Sequence, residues 1–163
     1  MPASIAIAFA SKHGTTAEIA RRIADGLGPG ARLFDLAQGR PDLSKFDAIV
    51  LGTAVYAGTP LRAMKTFARS LAPDAARLGL FVSGMETDPA VRDQEVRAAF
   101  PQALLDRAVA AAFLGGRFRF AGMNVAERLV VRRIAGTRTD VEAIDDQAIE
   151  DFILRMRPDG PGW

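Results

Sequence analysis

Residues 4–27 read SIAIAFASKHGTTAEIARRIADGL, and no other stretch restricts the fold so strongly. After Ser4, the run to Ala10 is apolar without alternation, which requires a strand covered on both faces. A polar loop, Ser11 to Thr16, then opens onto a helix-period pattern. Ile19, Ile23 and Leu27 recur every four residues, while Arg21, Arg22 and Asp25 take other faces. Thr15-Thr16-Ala17-Glu18 matches a capping box, and Gly26, Gly28, Pro29 and Gly30 end the helix.

The alternation continues to the end of the chain. Further strands are expected at Ala31 to Leu36 (shorter and nearer an edge), Ala48 to Ala54, Arg77 to Ser83 and Val109 to Phe118, the last with a bend or bulge at Gly115-Gly116. Helices are expected from Pro60 to Leu71 and from Asp88-Pro89 to Phe100, with a short helical piece in PQALLDR. Asn124 to Ala135 is amphipathic and helical, and Asp145 or Asp146 caps a final helix to Met156. Strands separated by helices build a parallel sheet with helices on both faces. The expected architecture is therefore one α/β domain over residues 1–157, doubly wound, followed by a flexible tail at 158–163.

Composition closes off several chemistries. With no cysteine, the chain has no disulfides, thiolate metal sites or cysteine nucleophiles. His13 is the single histidine, so neither a histidine-rich metal centre nor a Ser-His-Asp triad is supported. MPASIAIAFA is too short for a secretory signal, and no apolar run is long enough to span a bilayer. A cytoplasmic location is expected. The net charge of +2 is unevenly placed: residues 106–139 hold seven arginines against two acids, a net of +5, leaving −3 for the rest. Such a basic segment suits phosphates, carboxylates or an anionic lipid surface, although a solvated face is the more common explanation of such a cluster. Only Phe118 and Phe120 interleave with it, so nucleic acid is not an expected partner.

In a doubly wound sheet, ligands sit beyond the carboxyl ends of the strands where strand order reverses. Three segments end strands there and are rich in small or hydroxylated residues: Ser11 to Thr16, Thr53 to Thr59 and Ser83 to Asp88. The first offers unsatisfied N–H groups at a helix N-terminus, hydroxyls on Ser11, Thr15 and Thr16, and close approach at Gly14. Taken alone, it fits a phosphate site and a plain capped turn equally well. In the second, Tyr56, the only tyrosine, offers a π face for a planar ring beside Ala57 and Gly58. Backbone groups of Ser83, Gly84 and Met85 in the third suit a ring edge. A phosphate at one end and a flat ring at the other describe a mononucleotide.

FASKHGTTAEIARRIADGL, AIVLGTAVYAGTPLRAMKTF and LGLFVSGMETDP resemble, in order and separation, the three cofactor loops of the flavodoxin family. The resemblance implies a flavodoxin-like, five-stranded parallel sheet in the order 2-1-3-4-5, with FMN as cofactor. It places the phosphate on Ser11, Lys12, His13, Gly14, Thr15 and Thr16. The isoalloxazine then lies between Thr53, Ala54, Val55, Tyr56, Ala57 and Gly58 on one side and Ser83, Gly84, Met85 and Glu86 on the other. The run FLGGRFRFAGMNVAERLVVRRIAGTRTDVEAIDDQAIEDF is similar to the extra segment of the flavodoxin-like protoporphyrinogen oxidases, bacterial FMN enzymes of haem biosynthesis that pass electrons to a quinone. Three departures stand out. His13 occupies a place where electron-carrier flavodoxins put a hydroxyl residue, residues 117–135 hold fewer tyrosines and tryptophans than the oxidases, and AGTRTD has fewer glycines than their turn.

If FMN is bound, the flavin carries the redox chemistry and the protein supplies position and electrostatics, so no catalytic acid or base is named. An anionic porphyrinogen suits the arginines, since guanidinium groups grip carboxylates with two parallel hydrogen bonds. Arg117, Arg119, Arg128 and Arg132 are the candidate substrate residues. The 124–135 helix is compatible with peripheral contact with the inner membrane surface, although packing on the sheet is the simpler reading. A homodimer is compatible with the sequence. The alternative function is a one-electron carrier to a protein partner. Such carriers are usually strongly acidic, and +2 with a basic third argues against that role. A domain that has lost FMN and serves only in protein interaction is the third reading, and intact small residues in all three loops disfavour it.

Overall fold

The computed structural model describes residues 3–72, 76–118 and 141–159. Its elements are, in chain order, β1 (Ile5–Ala10), α1 (Thr15–Leu27), β2 (Ala31–Asp35), β3 (Ala48–Tyr56), β4 (Thr59–Pro60), α2 (Arg62–Ser70), β5 (Arg77–Ser83), α3 (Pro89–Ala99), α4 (Gln102–Leu105), β6 (Ala110–Phe113), β7 (Gly115–Phe118), β8 (Val141–Ile144) and α5 (Asp146–Met156). Parallel pairing sets five strands in the order β2-β1-β3-β5-β6, which is the expected 2-1-3-4-5 when they are counted among themselves.

The period of two along each strand sorts the core into two layers. Ala6, Ala8, Leu51, Leu80 and Val82 face α2, α3 and α4, where they meet Met64, Phe67, Val96 and Leu104. Ile5, Ile7, Val50 and Phe81 face α1 and α5, where they meet Ile19, Ile23, Phe152 and Met156. The central strands are buried on both faces, which is why they read as continuous apolar runs. Each fully buried isoleucine on α1 is worth roughly 1.5–3 kcal/mol, and that burial, more than intrinsic propensity, holds a helix interrupted by Gly26.

Two expectations are corrected. The Thr15–Glu18 capping box does not form. Gly14 is the N-cap, in the left-handed region at φ 90°, and no side chain caps the helix from that position. Ser11 supplies the oxygen instead, accepting from the N–H of Gly14 at 3.1 Å and, at 3.4 Å, from that of Ala17. The expected last strand divides at Leu114. Gly115 turns at φ 82°, and β7 leaves the main sheet to pair antiparallel with β8. Asp145 caps α5, its Oδ1 accepting from the N–H of Ala148 at 3.0 Å. The expected 124–135 helix, the AGTRTD turn, Arg119, Arg128 and Arg132 lie outside the described residues, as do residues 160–163 of the tail. Among the described residues no helix is long and apolar enough to cross a membrane.

Candidate functional site

The adjacent strands β1, β3 and β5 all end at one edge of the sheet. After β1 the chain crosses one face through α1, and after β3 it crosses the other through α2, so the loops part and leave a crevice. A cleft of about 480 Å³ opens there, within the range of small-molecule sites. Its walls include His13 and Thr15 from the first loop, the run Ala54–Gly58 from the second, and the run Ser83–Glu86 from the third. Ala57 and Gly58, at φ 50° and 78°, form the tight turn that folds β4 back on β3. Tyr56 therefore stands at a strand end in a hairpin, where the sequence suggested an open loop.

The loops are tied to one another. Lys12 Nζ lies 5.8 Å from the centre of the Tyr56 ring, and His13 meets the same ring edge-on at 6.0 Å. Thr16 and Ser83 share a buried hydroxyl–hydroxyl hydrogen bond of 2.6 Å, which joins α1 to the third loop. Thr53 is fully buried. Its hydroxyl donates to the Ala54 carbonyl and accepts from the N–H of Leu61, so it braces the second loop from beneath. In the third loop, Glu86 Oε1 accepts from the N–H groups of Thr87 and Asp88, and Arg92 Nε donates to the Glu86 carbonyl. Of the sequence-named residues, Thr16 and Thr53 thus sit behind the rim, while Tyr56, Ala57, Gly58, Gly84, Met85 and Glu86 form it.

A second cavity of about 250 Å³ adjoins the first and shares His13, Thr15 and Arg117 with it. Gly14 also lines it, and a Cβ built there would meet nothing within 4 Å, so the space over the α1 N-terminus is open. The first bond within the helix runs from the Glu18 N–H to the Gly14 carbonyl at 3.0 Å. With Ser11 accepting from Gly14 and Ala17, the N–H groups of Thr15 and Thr16 remain at the helix mouth, where the dipole favours an anion.

Arg117, named from sequence as a substrate residue, reaches this rim from β7. Its guanidinium donates to both Glu18 oxygens (one at 3.2 Å) and to Glu142 Oε1. Glu18 and then Glu142 hold its pKa above the ordinary arginine value, against the opposing effect of burial. Residues that sequence reasoning missed are Val91, Gln94, Glu95 and Ala98, which form the far wall on α3. Their spacing of three and four places them on one helix face, opposite the core residue Val96; that periodicity was the available signal.

Two outcomes follow from this geometry. Burial first, then Glu86, push the Glu95 carboxyl above the ordinary glutamate value, with Arg92 acting the other way. The folded chain therefore binds that proton more tightly than the unfolded chain, and stability falls as pH rises from the ordinary value through the raised one. Glu95→Gln is expected to raise the melting temperature at neutral pH, with the gain vanishing below the ordinary glutamate value; a gain independent of pH would refute the shift. Tyr56→Ala should weaken binding of a planar ligand by about 1–3 kcal/mol, roughly 5- to 150-fold, if the ring stacks as aromatic side chains do on bases. An unchanged dissociation constant would put the ring elsewhere.

A family model described as a flavodoxin domain matches residues 6–143. No curated protein matches the chain. Among solved structures, a flavodoxin mutant from Fusobacterium nucleatum bound to flavin mononucleotide is similar, with 19% identity, 66% of each chain covered and a TM-score of 0.54. Oxidised Flavodoxin 2 from Bacillus cereus is similar at 23% identity, with 69% of this chain and 83% of that one covered and a TM-score of 0.54. At these identities the likeness concerns the fold.

Proposed function

The chain belongs to the flavodoxin domain family, and from that premise we propose that it is an FMN-dependent oxidoreductase acting on a porphyrinogen, of the quinone-dependent protoporphyrinogen dehydrogenase type. The residues fit the cofactor: an open helix mouth at Gly14 suits a phosphate, and an apolar-walled cleft beside Tyr56 suits a flat ring. Ser11, Thr15 and the N–H groups of Thr15 and Thr16 would hold the phosphate, with Lys12 and His13 nearby. The main chain of residues 54–58 and 83–86 would hold the ring edge, with Tyr56 against its face. Bound FMN supplies the redox centre. The protein's own part is to orient the ring and, with Val55 and Met85 on the cleft wall, to keep water from it.

One observation carries the choice of an enzyme over a carrier. Phe118 and Val141 are paired in register, so residues 119–140 are inserted at a single point of the β7–β8 ladder, one residue from Arg117 on the cleft wall. That insertion contains Arg119, Arg128 and Arg132, which suit the propionates of a tetrapyrrole. The test is anaerobic incubation of FMN-loaded protein with protoporphyrinogen IX and a menaquinone analogue, followed by porphyrin fluorescence. Flavin-dependent porphyrin formation is expected. A loaded, folded protein that forms none, yet passes electrons to a protein acceptor, would make it a carrier.

A further inference from the structure

The 250 Å³ cavity at the mouth of α1 contains a charge arrangement that a phosphate site would not be expected to tolerate. Glu18 lies one turn into the helix, where a carboxylate competes with an incoming anion for the positive end of the dipole. Arg117 counters it. Its side chain is only 12% exposed, and its fork holds both Glu18 oxygens while also reaching Glu142. Its buried Nε has no hydrogen-bond partner among the described residues, and the side chain as a whole lines the cavity beside Glu18. Arg21, the other arginine there, is exposed and more strongly screened. The position of Arg117 is set by main-chain packing. Gly84 N–H donates to the Gly115 carbonyl at 3.0 Å, and a Cβ on Gly116 would come within 2.5 Å of the Gly84 carbonyl oxygen.

We propose that Arg117 is a cofactor-positioning residue for the phosphate end of the site, neutralising Glu18 so that the helix mouth accepts a dianion, and that it thereby sets the preference for FMN over riboflavin. The proposal rests on the reading of this rim as an FMN site. It assigns the β7–β8 hairpin a role at the phosphate that its place after the last parallel strand would not suggest. Arg117 then serves the cofactor, and binding of the substrate carboxylates falls to the arginines beyond it.

The test titrates the flavin-free full chain with FMN and, separately, riboflavin, read by quenching of flavin fluorescence. Removing a bidentate charge-assisted partner in Arg117→Ala should raise the FMN dissociation constant about tenfold or more and change that for riboflavin by less than about twofold. Glu18→Gln, which leaves Arg117 in place and frees its fork, should increase the preference for FMN. Equal weakening of both flavins in Arg117→Ala would reduce the residue to a fold contact and overturn the proposal. Unchanged FMN affinity in that variant, or a reduced FMN preference in Glu18→Gln, would do the same. Failure of the unaltered protein to quench either flavin would remove the FMN reading itself, a result separable from all of these.

Discussion

Gly52→Ala is expected to destabilise the flavin-free protein by about 3 kcal/mol or more, at or above the usual range for overpacking. Gly52 lies mid-strand in β3, paired in register with Phe81 of β5. The Phe81 ring lies across it. A Cβ at residue 52 would sit 2.0 Å from Cζ and 2.1 Å from Cε1 of that ring. The ring has nowhere to go, being fully buried and packed edge-to-face on Phe152 of α5 at 6.0 Å. One methyl group therefore strains two strands and a helix together. Urea unfolding followed by circular dichroism checks the loss. Adding Phe81→Leu should recover part of it, because the shorter side chain vacates the space. A double mutant less stable than the sum of its parts would show that the strain lies elsewhere.

Gly14→Asp is expected to separate stability from binding. At φ 90° the residue is in the left-handed region, which costs an ordinary side chain about 1–2 kcal/mol but which aspartate tolerates better than most. Open space surrounds the missing Cβ, and a carboxylate at a helix N-cap partly offsets the strain. The flavin-free fold should therefore change by less than about 1 kcal/mol. The same carboxylate occupies the phosphate position. Two anions about 4 Å apart at an effective dielectric near 20 repel by about 4 kcal/mol, so FMN affinity should fall by about a hundredfold or more. Riboflavin, lacking the phosphate, should lose far less. Equal loss for both flavins would mean that the phosphate does not sit at Gly14.

What the sequence disclosed follows from which physical effects are local. The buried strands were legible because burial on both faces leaves continuous apolar runs, and Arg77–Ser83 appears with the expected bounds. The α1 cap was not, because Thr-x-x-Glu reads the same whether Glu18 folds back or is taken by an arginine 99 residues later. Ser11, three residues before Gly14, does the capping through a turn in which Gly14 takes the left-handed region. The break between β6 and β7 was half visible. Gly115-Gly116 announced a bend, but pairing with β8 depends on where α5 packs, which no local pattern records. At the site, the three loops were readable because their small and hydroxylated residues interrupt apolar strands. Their division of labour was not: Thr16 and Thr53 hydroxyls look free in sequence and are spent on Ser83 and on the Ala54–Leu61 turn.

The central claim is that one rim of this sheet, from Gly14 to Tyr56 to Met85, holds one FMN. Titrating the flavin-free protein into FMN and following flavin fluorescence tests it most directly. The expected result is quenching that saturates at one FMN per chain, with a dissociation constant below about 1 μM, about 8 kcal/mol of binding. Fluorescence that stays unquenched with protein in large excess would contradict it.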